Sequence, residues 1–521
     1  MDTAAASPAP LAGTRLNWRI TPLRLALVLT VAALAVRLIG ISMRPLWLDE
    51  AYSAWFSAQS WHDLWTVVPT YETHPPFYYS LLKAWRALFG GSAVALRLPS
   101  ALLGMAAVPV VMLAARELER LRPTGRPLLL MGLAGFLAGF GPTLVEHGQE
   151  ARPYAPMAFA YALAMLGLLR LFADFRDGGS GSPRSWIILV AGAELTLWSH
   201  ALGAIYAACL AFALLPAWLK DAPRKRIARG LLAAAAIVLL YLPCLWLIAG
   251  RTRDWGTGWL AWKPEMLLTL LSLYGVPVEV LTIGSAVAAL ILFLCAKRAI
   301  GEAFVERGWT ANRALLVLWW GPPLATALIS ALFVPLFLPR TLTATLVPCY
   351  LTMSAALART QARKERVILA AALAVTLVPS TIAMALRPAT EQWDQVDSYL
   401  QKNVRPGDAV WLYPNDSALP LRAAGPASTY PRHGVPADYP ALAAPGPRRA
   451  GSPAVPSMTS EAMEQLVRSP EAASVGTIWV VTCQAQFFDP KGELARALST
   501  VRRSGRRQKW GYLSVQPFYR R

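Results

Sequence analysis

Trp47-Leu48-Asp49-Glu50-Ala51 sets two carboxylates side by side, directly after the first long apolar run of the chain. Adjacent carboxylates beside an apolar surface repel one another and are costly to desolvate, which suits one of them to take a proton from a hydroxyl as a general base. The same pair also suits the exposed first turn of a helix, where acidic side chains favour the positive end of the dipole. Spacing alone does not separate the two readings. Thr73-His74-Pro75-Pro76-Phe77 then places a histidine on a turn stiffened by two prolines, since each proline fixes its own φ and turns the residue before it toward extended structure. Held there, His74 can hydrogen-bond a phosphate, although a lone loop histidine is more often simply solvated. Further polar groups stand where other apolar runs end: Arg97, the stretch Glu146-His147-Gly148-Gln149-Glu150-Ala151-Arg152-Pro153-Tyr154, the pair Ser199-His200, and Phe337-Leu338-Pro339-Arg340. Each alone reads as a snorkelling side chain or an ion pair such as Glu150 with Arg152. Acids, histidines and arginines collected together at one end of apolar segments mark a site by default.

Such residues need apolar elements to position them, and the composition supplies these. Of 521 residues, 55% are hydrophobic and 15% charged, against roughly a quarter charged in a soluble protein, which excludes a plain cytosolic enzyme. Twenty Trp and a mean hydropathy of +0.40 exclude intrinsic disorder. Runs of about 20 apolar residues, the length that crosses a hydrocarbon core, predict about eleven spans. They fall near 21–41, 93–115, 127–145, 153–173, 186–200, 201–219, 230–249, 277–296, 314–335, 341–358 and 367–386. The connections alternate in charge: about 23 Lys and Arg lie in the odd-numbered ones, from Arg15, Arg19 and Arg24 to Arg359, Arg363, Lys364 and Arg366, against about nine in the rest. The positive-inside rule then predicts a cytoplasmic N-terminus and an extracytoplasmic C-terminal segment.

The net charge of +20 therefore describes a rim that orients the protein in a bilayer, and nucleic acid is excluded as a partner. The first run is longer than the apolar core of a secretory signal and no small-x-small cleavage site follows it, so it reads as a retained span from which Arg37 can snorkel to the interface. Glu194 inside the fifth run, together with Arg37, keeps a transporter or lipid-linked-sugar flippase open as an alternative, although that class carries inverted repeats and no internal repeat is visible here. The five Cys offer neither a disulfide framework nor zinc-ligand spacing.

Two regions remain outside the spans. The first external loop, 42–92, carries amphipathic stretches at 51–61 and 77–89, of the kind that lie along a membrane surface. The segment from 387 reads as a small α/β unit, with a helix at 391–402, strands at 409–413, 477–481 and near 512–515, a helix at 494–501, and an irregular Pro/Gly/Ala-rich stretch at 420–456. The expected organisation is a polytopic α-helical membrane part over 1–386 and an extracytoplasmic α/β part over 387–521. Neither strand is followed by a glycine-rich phosphate-binding turn.

With these residues in place, the chain resembles the polyprenyl-phosphate-dependent glycosyltransferases of the GT-C fold, in particular the bacterial family 39-like group. That group is related to the protein O-mannosyltransferases and to the aminoarabinose transferases that modify lipid A. The resemblance rests on Asp49-Glu50 after the first span, His74-Pro75-Pro76 in the first external loop, Arg97-Leu98-Pro99-Ser100 opening the second span, and Gln149-Glu150-Ala151-Arg152-Pro153-Tyr154. It implies Asp49 as the catalytic carboxylate, a sugar carried on an undecaprenyl- or dolichyl-type monophosphate, and inverting transfer to a hydroxyl of a lipid, glycan or protein acceptor. The setting it implies is the outer face of a bacterial inner membrane. Substrate- or phosphate-binding roles are expected for Glu50, His74, Arg97, Glu150, Arg152, Tyr154, His200 and Arg340. No cofactor is expected; no compact carboxylate cluster calls for a divalent ion, although the oligosaccharyltransferase branch of the fold uses one. In the aminoarabinose transferases a Lys precedes the loop proline, whereas His-Pro-Pro stands nearer the O-mannosyltransferases, so the resemblance leaves the donor sugar open.

Overall fold

The structure, a computed structural model, describes residues 21–249, 261–274, 283–448 and 452–521. Arg15 and Arg19 of the expected basic rim and residues 277–282 of the eighth expected span lie outside the described residues. In chain order the helices of the first part are α1 (Pro22–Leu38), α2 (Leu48–Ala58), α3 (Trp61–Thr66), α4 (Pro76–Phe89), α5 (Ala93–Leu121), α6 (Pro127–Phe140), α7 (Pro142–Gly148) and α8 (Tyr154–Arg176). They continue as α9 (Pro183–Ser199), α10 (Gly203–Leu219), α11 (Arg224–Ala249), α12 (Thr269–Tyr274), α13 (Ile283–Val305), α14 (Ala311–Leu332), α15 (Leu346–Ala358) and α16 (Arg363–Ala385).

Among the described residues, each apolar run is largely helical. Six of the described helices are long and apolar enough to cross a membrane, or seven if the bent pair α6–α7 is one span. That measure falls short of about eleven partly because α1, α9 and α10 have 17 residues each, a length of about 26 Å at 1.5 Å per residue. Leu231, Leu232, Leu239 and Trp246 of α11, Leu324 and Leu328 of α14 and Val375 of α16 are exposed on the outside of the bundle, an apolar surface suited to lipid rather than water. At its centre α8 is buried on nearly every side. The weakest expected boundary, between the fifth and sixth runs, is the turn His200-Ala201-Leu202, closed by Gly203 N donating to the His200 carbonyl at 2.8 Å.

Arg37 does not snorkel. It is 1% exposed, and its guanidinium donates to the carbonyls of Ala33 and Gly139 at 2.8 Å and of Ala138 at 3.3 Å. The cause is the break between α6 and α7, which are bent by 51°. Pro142 has no N–H to return to the Ala138 carbonyl, so carbonyls near the break need other donors. Arg37 supplies two of them and the Thr381 hydroxyl serves Phe140. Gly104 and Gly148 make room for it, since a Cβ on either would lie 2.7 or 2.8 Å from Arg37 Nε.

The amphipathic stretches of the first loop form α2 and α4, as their periodicity predicts. After α16, the C-terminal segment adds α17 (Trp393–Asn403), β1 (Ala409–Tyr413), α18 (Ala418–Ala424), β2 (Arg432–Gly434), α19 (Ser460–Val467), α20 (Pro470–Ser474) and β3 (Thr477–Cys483). It ends with α21 (Ala485–Phe488), α22 (Glu493–Val501), β4 (Arg502–Ser504), β5 (Gln508–Trp510) and β6 (Leu513–Arg520). The sheet runs β2-β1-β3-β6-β4, with β1 parallel to β2 and β3, and β6 antiparallel to β3, β4 and β5. The stretch 420–456, expected to be irregular, contributes α18 and β2. Strand β2 is recruited by pairing at Val410–Arg432 through Leu412–Gly434, a tertiary contact that its own composition does not reveal. One apolar cluster joins Ala51, Phe56, Tyr71 and Tyr79 of the first loop to Trp411, Tyr413, Leu419 and Tyr439 of the C-terminal segment.

Candidate active site

Trp47 precedes the first turn of α2, and two carboxylates secure that turn. Glu50 Oε2 accepts from the Trp47 amide at 3.4 Å, while Glu391, 343 residues further on, accepts from the Leu48 amide at 2.8 Å. Free N–H groups at a helix start need such acceptors. The second residue of the helix is Asp49, whose side chain is 19% exposed and faces two guanidiniums. Its Oδ2 lies 3.1 Å from Arg340 Nη2 and 3.8 Å from Arg152 Nη2. Arg152 also donates to the Asp49 backbone carbonyl at 3.1 Å. Arg340 comes from the 3-10 turn Pro339–Thr345 that leads into α15, and it lies over the Trp47 ring at 5.5 Å.

These groups line a cavity of about 580 Å³, within the range of small-molecule sites. Asp49, His74, Arg152, Tyr154, His200 and Arg340 all face it. The rings of His74 and His200 lie against each other, tilted by 43°, with centroids 4.3 Å apart. The hydrogen-bond network assigns both as neutral: His74 Nε2 accepts from Arg152 Nη2 at 3.5 Å, and His200 Nδ1 accepts from the Leu202 amide at 3.0 Å. Burial, with His200, Arg152 and Arg340 adding to it, holds His74 well below the usual imidazole range. The remaining N–H of each ring is buried without a hydrogen-bond partner, as are Arg152 Nε, Arg340 Nε and Trp47 Nε1. Tyr154 packs against His147 and His200 and beneath the Arg152 guanidinium.

Three expected site residues are placed otherwise. Glu50 and Arg97, 0% and 2% exposed, form a two-bonded pair at 2.7 and 2.6 Å. Arg97 gives its other N–H groups to the carbonyls of Ile41, Arg44 and Pro45, which exhausts the five a guanidinium has. Glu50 further accepts from the Ala151 amide at 2.9 Å. The pair therefore ties the start of α2 to α5 and the Glu150-Ala151 turn, and no donor of Arg97 is left for a phosphate. Glu150 faces a second, smaller cavity of about 360 Å³ and is held by His147 at 2.9 Å and Arg387 at 3.3 Å. Burial works to raise its carboxyl, but His147, Arg387 and Arg44 outweigh that and hold it down at about 2. The adjacent carboxylates Asp49 and Glu50 thus do not share a site, because Asp49 turns to Arg340 and Arg152 and Glu50 to Arg97.

Sequence reasoning missed Tyr52, Glu72, Glu391 and Asp416. Glu72 Oε1 accepts from the His74 amide at 2.9 Å and fixes the turn before Pro75; burial raises its carboxyl. Burial also raises Glu391 to about 7 and Asp416 to about 6. Asp416 stands just past the end of β1, the kind of position at which sheets present ligands, and that was the one signal available for it. Among the described residues no group of three or more His, Cys, Asp or Glu gathers to hold a metal ion.

No family model and no curated protein matches the chain. Among solved structures, ArnT from Cupriavidus metallidurans in the apo state superposes with a TM-score of 0.60 at 13% identity, over 94% of this chain and 97% of that one. The same protein bound to undecaprenyl phosphate gives 0.58 at 13% identity over the same shares. The oligosaccharyltransferase AglB from Archaeoglobus fulgidus, in complex with an inhibitory peptide and a dolichol-phosphate, gives 0.55 at 14% identity, over 92% of this chain and 72% of that one. These likenesses show the fold: the chain is a helical protein of the GT-C fold.

Proposed function

We propose that the protein is a multi-pass membrane glycosyltransferase that moves a sugar from a polyprenyl-monophosphate donor to an acceptor hydroxyl, with inversion at C1. The observation that carries this reading is Asp49, held between Arg340 and Arg152 in a cavity whose nearby unpartnered polar atoms are mainly N–H donors. Such a site matches a reaction that expels a phosphate while a hydroxyl loses its proton. The similar structures that hold undecaprenyl phosphate and dolichol-phosphate support the donor class. About eleven spans, a cytoplasmic N-terminus and a site at the outer face complete the reading.

In this mechanism Asp49 takes the proton of the acceptor hydroxyl as its oxygen forms a bond to C1. The bond from C1 to the phosphate oxygen breaks, and its electron pair leaves with the prenyl phosphate. Arg340 and Arg152 receive the charge that develops on that oxygen, aided by the N–H groups of His74 and His200. Preorganised donors of this kind stabilise a transition state because they need no reorientation. Both guanidiniums pair with Asp49; a donor phosphate competes for them and frees the carboxylate for the acceptor. The leaving group departs as an anion, so no strong general acid is needed, and the guanidiniums replace the charge a divalent ion would bring. Purified protein given a labelled polyprenyl-phosphate sugar and an envelope extract should release unglycosylated prenyl phosphate as labelled acceptor appears. Flux of the intact donor across proteoliposomes with no such release would overturn the proposal in favour of transport.

A further inference from the structure

Apart from Asp49 itself, the buried polar atoms without hydrogen-bond partners on the walls of the larger cavity differ in sense from one end to the other. Around Arg340 and Arg152, the buried nitrogens without partners are donors. At the end formed by the C-terminal segment, the buried side-chain atom without a partner among the described lining residues is an acceptor, Asp416 Oδ1. Asp416 is 3% exposed, and its other oxygen accepts from the Tyr52 hydroxyl at 2.5 Å. The amides of Ser417 and of Asp416 itself lean on this carboxylate from the backbone side, yet leave Oδ1 without a formed hydrogen bond. Tyr52 lies three residues after Asp49 in α2, so the two share a helix face. Asp49 is close enough for its charge to act on Asp416. Tyr71, Tyr439 and Phe488 line the same cavity and give it an aromatic side.

A buried carboxylate oxygen with no donor costs free energy, and a ligand hydroxyl aimed at it removes that cost. A sugar phosphate presents the matching pattern, with acceptors at the phosphate and donors around the ring. We propose that Asp416, carried by the C-terminal segment and held by Tyr52, accepts a hydrogen bond from a hydroxyl of the transferred sugar and sets the sugar specificity of the site. This rests on the glycosyltransferase reading above. A site built to bond a hydroxyl rejects a ligand lacking it far more strongly than an apolar pocket rejects a change of shape.

The test uses the full chain in lipid nanodiscs and measures dissociation constants for a short prenyl monophosphate, bare or carrying mannose, glucose or arabinose. The wild type should bind at least one of the sugar forms about tenfold or more tighter than the bare lipid phosphate, as one hydrogen bond to a charged group allows. Asp416→Ala, which removes the acceptor altogether, should keep the affinity for the bare form and lose most of that increment, with Tyr52→Phe losing part of it. An unchanged increment in Asp416→Ala overturns the inference, as does an equal loss for bare and sugar forms, which would mark a merely structural role. A wild type that binds the bare form but gains nothing from any sugar also overturns it. A wild type that binds no prenyl phosphate overturns the donor class and the inference with it, so the bare-lipid arm separates the two failures.

Discussion

At the residue scale, the chemistry turns on which arginines still have something to give. Arg97 has spent every N–H on Glu50 and three carbonyls, whereas Arg340 and Arg152 each keep a buried Nε without a partner beside Asp49. Arg340→Ala should therefore lower kcat by about 10² to 10³, the usual loss of one preorganised donor, with thermal stability little changed. Arg97→Ala should instead destabilise the protein by about 3–5 kcal/mol, because it leaves the Glu50 charge buried and alone. Melting and turnover measured on both variants would separate these roles. His74 supplies a further check. Burial keeps it neutral far below the ordinary imidazole range, so the pH–rate profile should show no inflection near 6.5 that His74→Gln removes.

At the element scale, the start of α2 is held from two distant places, Arg97 through Glu50 and the C-terminal segment through Glu391. Glu391→Ala should reduce kcat more than affinity for the donor, since it frees the turn that aims Asp49, and Glu391→Gln should restore most of the loss because an amide oxygen can accept from the Leu48 N–H. The two also differ with pH. Glu391 is raised to about 7 when folded, so the stabilisation it brings is fully present below the unfolded carboxyl range near 4.5 and is lost as pH rises through 7. Relative to Glu391→Gln, the wild type should lose up to roughly 3 kcal/mol of stability between pH 4 and 8, seen as a melting temperature that falls relative to that of the variant as pH rises. Much of this scale was legible in the sequence: apolar runs marked α5, α8 and α16, and the amphipathic stretch 77–89 marked α4. What stayed hidden has no local signature. Nothing near Glu391 announces a hydrogen bond to residue 48, and Glu50 and Arg97 carry the same charge signs whether they bind substrate or each other. Arg37 likewise reads as a snorkelling residue until the break at Pro142 shows which carbonyls it serves.

At the scale of the whole molecule, the C-terminal segment is a wall of the site and not an appendage. Tyr439 packs edge-on against Tyr52 at 5.5 Å and Trp55 at 5.7 Å, and the apolar cluster runs unbroken from α2 into β1 and α18. A chain ended after residue 386 should expose that face, lose the Glu391 contact, and elute as aggregate or melt well below the full chain when examined by size exclusion and thermal scanning. The proposed transfer chemistry depends on Asp49. The most direct measurement compares wild type and Asp49→Asn in the same preparation, reading both binding of a labelled polyprenyl-phosphate sugar and its transfer to acceptor. The expected result is donor binding within a few-fold of wild type, with transfer reduced by about 10² to 10⁴. Transfer by Asp49→Asn at the wild-type rate would contradict the account.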